Sequence, residues 1–182
     1  MQRHKPRRIA MVGVTIGSMA LMVASFAIAS YRPSRANDVG GSFLGKQTAS
    51  ATSAFESRSS SFQTLPGSAL TVGIASGTSR LVEARFMAES SCFGGTAGNW
   101  CTVRVVARNS STGALVELSP EAGGDFQFDT VSQVNDRREG HAIERSRRLG
   151  AGGWNVFVEL KTTSTSTTVR LDDWHFAVEV MT

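Results

Sequence analysis

The fold is decided by a short alternating stretch near the C-terminus, Trp154-Asn155-Val156-Phe157-Val158-Glu159-Leu160. Successive strand residues point to opposite faces, so its four even-numbered residues share one apolar face. Residues 82–89, 101–108 and 174–180 repeat the alternation, and Gly, Asn, Asp, Ser and Pro clusters separate the runs. No amphipathic helical pattern follows the first 36 residues. The pattern predicts an all-β, antiparallel β-sandwich that is jelly-roll-like.

The N-terminal segment has the features of a secretory signal. A basic start is followed by an apolar run from Ile9 to Ala29. Small-x-small cleavage sites end at Ala29 and at Ala36, and Pro33 favours the second because it ends the helix. The alternative is an uncleaved anchor helix, since the run is long enough to span a bilayer. Residues 1–36 therefore predict a secreted or cell-surface protein, which contacts a membrane only through this segment if it is not cleaved.

Removing residues 1–36 reverses the sign of the net charge. The whole chain has 19 basic and 15 acidic residues, whereas 13 basic residues and all the acidic ones remain after Ala36. The apparent basicity belongs to the signal. We therefore expect no nucleic-acid partner, because such a partner requires a basic surface.

Residues 37–66 differ in composition from the rest of the chain. Nine of the 18 residues from Gln47 to Thr64 are Ser or Thr. Such a segment buries little apolar surface, so it predicts a flexible linker before a domain at residues 67–182. The exceptions are four apolar residues that could dock as an extended arm on the domain or on a partner chain: Phe43, Leu44, Phe55 and Phe62.

Cys92 and Cys101 are the two cysteines of the chain, and a Gly-rich segment separates them. An exported protein meets an oxidising compartment, so we expect a disulfide that closes a hairpin tip. Metal binding would require more ligands than two thiols, and a redox pair is more often spaced C-x-x-C.

Two groups of residues are candidates for ligand binding. Trp100 in the cysteine-bounded loop and Phe157 on the polar face of its strand could form a small aromatic patch. Arg145 and Arg147 belong to a basic concentration that could bind an acidic glycan or an anionic surface. The alternative for the arginines is a charged edge strand that prevents aggregation.

Asp172 and Asp173 form the densest acidic cluster, beside His175. They could hold a structural Ca²⁺ together with backbone carbonyls, or they could make local hydrogen bonds at a turn. His141 and His175 lack the local context that positions a nucleophile. We therefore predict no enzyme and no cofactor other than this calcium ion.

Four segments in this order resemble a family: Leu81–Ser91, Trp100–Val105, Arg147–Gly152 and Leu171–Trp174. Together they are similar to uncharacterised secreted bacterial β-sandwich domains of jelly-roll type. The resemblance implies the architecture and export but no activity. This chain departs from the family pattern at Trp154 and Asn155, so no site residues are carried over.

The sequence thus predicts a secreted or surface-tethered, non-enzymatic β-sandwich that serves as a structural or interaction module. Its expected partners are a glycan, a cell-surface protein or further copies of the chain. The first alternative is a carbohydrate-binding module of jelly-roll type, because aromatic rings stack on sugars. A secreted hydrolase is the second alternative.

Overall fold

The computed structural model describes residues 41–123, 125–131 and 137–182. All regular structure in these residues is β-strand, which confirms the all-β prediction. The strands are β1 Phe43–Ala51, β2 Phe55–Ser57, β3 Gln63–Thr64, β4 Leu70–Gly94, β5 Trp100–Asn109, β6 Leu115–Glu117, β7 Asp129–Thr130, β8 Glu139–Thr162 and β9 Thr167–Met181. The predicted signal or anchor lies outside the described residues, and none of the residues described forms a helix able to cross a membrane.

Two strands are much longer than predicted, because β4 and β8 contain 25 and 24 residues. β4 bends at Gly77, its eighth residue, and β8 bends near its middle at Gly152, where the φ angles are 72° and 132°. Such angles strain any residue with a side chain, so glycine permits the bends. The pairing of β4 with β8 is also interrupted between Ile74 and Ser79. Each long strand consequently contributes to both sheets of the sandwich.

The pairings define two antiparallel sheets that share β4 and β8. Sheet I has the order β1, β9, the second half of β4 and the first half of β8. In sheet II the strand order is the first half of β4, then the second half of β8, then β5 and then β6. This is the connectivity of a jelly roll. The predicted jelly-roll-like sandwich is therefore confirmed.

One hydrophobic core fills the space between the sheets. Phe86 of sheet I is fully buried, and its ring centroid lies 6.0–6.4 Å from three other aromatic rings: those of Phe128, Trp174 and Phe176. Sheet II supplies mainly valines to the same core, including Val105, Val156 and Val158. The alternation read from the sequence thus assigns the core face correctly in both sheets.

The segment expected to be a flexible linker belongs to the sandwich in its described part, residues 41–66. Strand β1 pairs with the whole second half of β9, β2 pairs with its first half, and β3 pairs with β8. Leu65 is completely buried, and Ala49, Ala51 and Phe55 pack against the core. The Ser- and Thr-rich composition wrongly predicts a flexible linker here. An edge strand needs only a few small inward side chains once its backbone is hydrogen-bonded. The alternative of a docked arm is correct for Phe55, which packs on the core, and for Phe62, whose ring centroid lies 3.6 Å from the Arg104 guanidinium. It is wrong for Phe43 and Leu44, which are 60% and 52% exposed.

Candidate functional site

The disulfide prediction is confirmed. Cys92 of sheet I and Cys101 of sheet II are bonded, and their Cα atoms lie 5.9 Å apart. Both residues are buried, at 2% and 0% exposure. The predicted hairpin tip is wrong, because β4 and β5 are not hydrogen-bonded neighbours. The bond instead joins the two sheets.

Trp100 and Phe157 do not form the predicted aromatic patch. Trp100 begins β5 and is half-buried, and its indole Nε1 is buried without a hydrogen-bond partner. Phe157 pairs in register with Val106, six residues further along β5 and therefore about 20 Å away. Phe157 is only 6% exposed, and the Arg108 guanidinium lies 5.6 Å from its ring centroid. The expectation of an exposed Phe157 is corrected, because long neighbouring side chains cover the outer face of a central strand.

Arg145 and Arg147 do not form an open anion patch. They share the inward row of β8 with Ile143 and Leu149, which points into the sandwich. Arg145 is 8% exposed, lies 4.7 Å from the centroid of Phe126, and donates to the neighbouring Glu144 carbonyl at 2.9 Å. Burial lowers the pKa of its guanidinium. The burial of Arg145 corrects the prediction that this residue is a surface ligand-binding group.

Arg147 reaches the segment that follows β6. Its Nη1 donates to the backbone carbonyl of Glu117 at 2.6 Å and lies 3.3 Å from a carboxylate oxygen of Glu121. Its inward neighbour Arg145 packs on Phe126, further along the same segment. The two arginines therefore hold Glu117, Glu121 and Phe126 against sheet I. Their observed contacts are intramolecular.

Replacing Arg145 with methionine should leave the free energy of unfolding unchanged or raise it by about 1–2 kcal/mol. A buried guanidinium loses hydration, and its Nε lacks a hydrogen-bond partner in the described structure. An apolar side chain of similar length can offset that cost. Urea denaturation measures the change. Arg104→Met is the matched control and should be destabilising, because it strands the carboxylates of Glu117 and Glu159. A fall of more than about 1 kcal/mol in Arg145→Met contradicts this account.

The two predicted calcium ligands differ in environment. Asp172 accepts a hydrogen bond from Arg170 at 3.0 Å, and Nη1 of Arg138 lies 3.8 Å away. Asp173 is exposed and has a φ of 42°, at a bulge of β9 opposite Ala88. Across the described ranges, no three His, Cys, Asp or Glu side chains cluster closely enough to hold a metal ion. The calcium site stays a prediction.

The ion pair of Asp172 should make stability depend on pH. The hydrogen bond from Arg170 holds the pKa of this carboxyl below its usual value near 3.8. Since the folded-state pKa is the lower one, the contribution is present above about pH 4 and is lost as the pH falls through the folded-state pKa. Thermal midpoints should therefore favour the wild type over Asp172→Asn at pH 7, and the two should converge in acid. A gap that is constant with pH contradicts the prediction.

Ser90, Asp129 and His141 form a partly buried polar cluster that the sequence analysis did not identify. The Ser90 hydroxyl donates to Asp129 Oδ2 at 2.7 Å and lies 2.8 Å from Nδ1 of His141. The serine is therefore central and 1% exposed. A hydrolytic triad has the histidine in the centre and an accessible hydroxyl, so this cluster has a different order.

A cleft of about 400 Å³ opens where β1 faces the first half of β4. Its apolar walls come from both sheets, with Val72 and Ile74 on one side and Val178 and Val180 on the other. Gly45 is directed inward opposite Val180, and a Cβ at this position would meet no atom within 4 Å. The space beside Gly45 is therefore open. Sequence reasoning missed the cleft because its walls lie over 100 residues apart in the chain.

Polar groups surround the mouth of the cleft. Gln47 Nε2 donates to the Thr71 carbonyl at 2.6 Å and ties the two walls together. Lys46 lies 2.9 Å from Glu179, and this lysine holds the pKa of the Glu179 carboxyl below its usual range. Arg80 also lines the cleft, is half-buried, and donates to the carbonyl of its own neighbour Ser79 at 3.0 Å. The cleft thus combines apolar walls with a few polar groups, as small-ligand sites do.

No family model and no curated protein matches the chain. Among solved structures, it is similar to a carbohydrate-binding module from Cellvibrio mixtus lichenase 5A, in complex with cellotriose. The identity is 15%, the match covers 79% of this chain and 91% of that one, and the TM-score is 0.26. It is also similar to the virus-like particle of the Macrobrachium rosenbergii extra small virus. There the identity is 14%, the coverage 96% and 95%, and the TM-score 0.18. At these TM-scores neither similarity bears on function.

Proposed function

We propose that the chain is a non-enzymatic, exported β-sandwich module that binds a small ligand in the cleft between β1 and β4. The observation that carries the proposal is the cleft at this corner, whose floor is formed by the buried Val72, Ile74 and Val178. Its exposed apolar surface comes from Leu44, which is 52% exposed, and from the half-buried Val180. Exposed apolar surface in a concave site favours association with a ligand that buries it.

Export is supported by two independent features. The N-terminal residues have the charge and apolar pattern of a secretory signal. The Cys92–Cys101 bond is of the kind that forms and persists in oxidising compartments. A non-enzymatic role is supported by the order of the Ser90 cluster, in which the hydroxyl is buried between its two partners.

The binding proposal can be tested with a neutral probe, 1-octanol, and Ile δ1-methyl NMR of the full chain. Ile74 lines the cleft, whereas Ile143 lies in the core outside it and serves as an internal control. We expect octanol to shift the Ile74 methyl signal and to leave that of Ile143 unchanged. Gly45→Leu should abolish the shift by filling the corner. An unchanged Ile74 signal at saturating octanol contradicts the proposal.

A matched variant controls for the added side chain. Gly140 is exposed at the opposite end of sheet I, and a Cβ there also meets no atom within 4 Å. Gly140→Leu therefore adds the same apolar bulk without approaching the cleft. Octanol binding should persist in this variant. Its loss would mean that any added leucine disturbs the domain.

Glycan binding is the second candidate function, and Trp100 is the residue that supports it. This tryptophan is the one member of the predicted patch that keeps partial exposure, and its Nε1 has no partner among the described residues. Indole rings stack on the apolar faces of sugars. A glycan array should then show a signal that Trp100→Ala removes. No binding, or binding that is indifferent to this change, contradicts the hypothesis.

A further inference from the structure

We infer that the cleft selects a small amphipathic carboxylate, with a linear aliphatic chain between the sheets and its carboxylate on Arg80. The inference rests on the proposed function and adds the class of ligand. It follows from the shape of the apolar walls and from the difference between Arg80 and the other cations nearby.

The apolar side chains of the cleft favour a ligand with an aliphatic chain. Val72, Ile74 and Val178 form the floor of the cleft and belong to the same core cluster as Phe86, and they are themselves only 3%, 6% and 1% exposed. The exposed apolar surface above this floor belongs to Leu44, which is 52% exposed, and to the half-buried Val180. An alkyl chain at the position left open by Gly45 would therefore extend the core and bury further apolar surface. A sugar or a nucleotide would instead bring hydroxyl groups against the valine and isoleucine side chains of the floor.

Arg80 supplies the polar end of the site. Its guanidinium has five N–H donors, and the hydrogen bond observed in the described part of the chain goes to the Ser79 carbonyl. In the same ranges no carboxylate lies within ion-pair distance of it. Arg85, by contrast, has Glu83 and Glu144 as partners, and Arg104 has Glu117 and Glu159. A half-buried guanidinium without an acid favours binding of an anionic group from outside.

The other polar side chains of the cleft, those of Lys46 and Gln47, already have partners within the chain. Lys46 is paired with Glu179, and the Gln47 amide is bonded to the Thr71 carbonyl. A single positive charge therefore remains for the ligand. One planar guanidinium matches one carboxylate by two parallel hydrogen bonds. A multiply charged phosphate would call for more cations than this site has.

Three eight-carbon probes test the inference on the full chain: octanoate, 1-octanol and octylammonium. We expect the Ile74 methyl signal to report octanoate binding at least about tenfold tighter than octanol, and octylammonium as the weakest. Arg80→Gln should reduce octanoate affinity to that of octanol and leave octanol unchanged. Octanoate should also weaken below about pH 5, where its carboxylate is protonated.

Arg85→Gln is the control for loss of a positive charge, because Arg85 lies on the outer face of sheet I with its own partners. It should leave octanoate affinity unchanged. Equal binding of octanoate and octanol, or octanoate binding that Arg80→Gln does not affect, overturns the carboxylate inference while the cleft still binds. Failure of all three probes to shift Ile74 overturns the proposed function itself.

Discussion

Replacing Phe86 with alanine is expected to lower the free energy of unfolding by about 3–5 kcal/mol. Phe86 is fully buried and lies at the centre of the aromatic group formed by Phe128, Trp174 and Phe176. Trp174 and Phe176 belong to β9, whereas Phe128 comes from the segment that leads into β7, so the cavity left by the ring cannot close by the movement of one strand. Guanidinium denaturation followed by tryptophan fluorescence measures the change.

Met87→Ala is the matched control for Phe86→Ala. Met87 is the next residue of β4, but it points outward and is 48% exposed. Its replacement should change stability by no more than about 0.5 kcal/mol. Equal effects at the two positions would mean that the inward and outward faces of β4 are assigned wrongly.

Replacing both Cys92 and Cys101 with alanine is expected to cost about 2–3 kcal/mol of stability. The bond closes a loop with a sequence separation of 9, and a loop of this size restricts the unfolded chain by about that amount. Since both positions are buried between the sheets, the smaller side chains also remove core contacts. The denaturation midpoint of the double variant should therefore fall clearly below that of the oxidised wild type.

Reduction of the wild type separates the cross-link from the packing. A reducing agent should lower the midpoint of the wild type and leave that of the double alanine variant unchanged. If reduction does not alter the wild type, the cross-link contributes nothing and the loop argument fails. Mass spectrometry of the alkylated protein confirms that the bond was open.

The part of the fold that the sequence predicts is the part that depends on local alternation. Trp154 and Trp174 lie in the core as their strand patterns indicate, because the side-chain period of a strand needs only neighbouring residues. The same rule could have placed Arg145 inward, since Ile143 and Leu149 share its row. The prediction of a surface position for Arg145 rests on its charge alone and ignores the inward row of β8 that contains it.

Other features depend on residues far apart in the chain. Composition cannot predict the strand at residues 43–51, because its partner β9 lies more than 120 residues later in the chain. Phe157 is covered by Arg108, which comes from another strand. The cleft needs Gly45, Val72 and Val178 to meet at one corner. No local pattern contains such information, and only the assembled sheets bring these residues together.

The pairing of β1 with β9 also has a consequence for the order in which the protein forms during synthesis. A nascent chain that ends before Trp174 contains all of β1 but none of the residues that pair with it. The edge of sheet I can therefore be completed only after β9 has been made. Such non-local topologies fold slowly, on a scale of milliseconds to seconds. The cleft, which needs β1 as one wall, would be among the last features to appear.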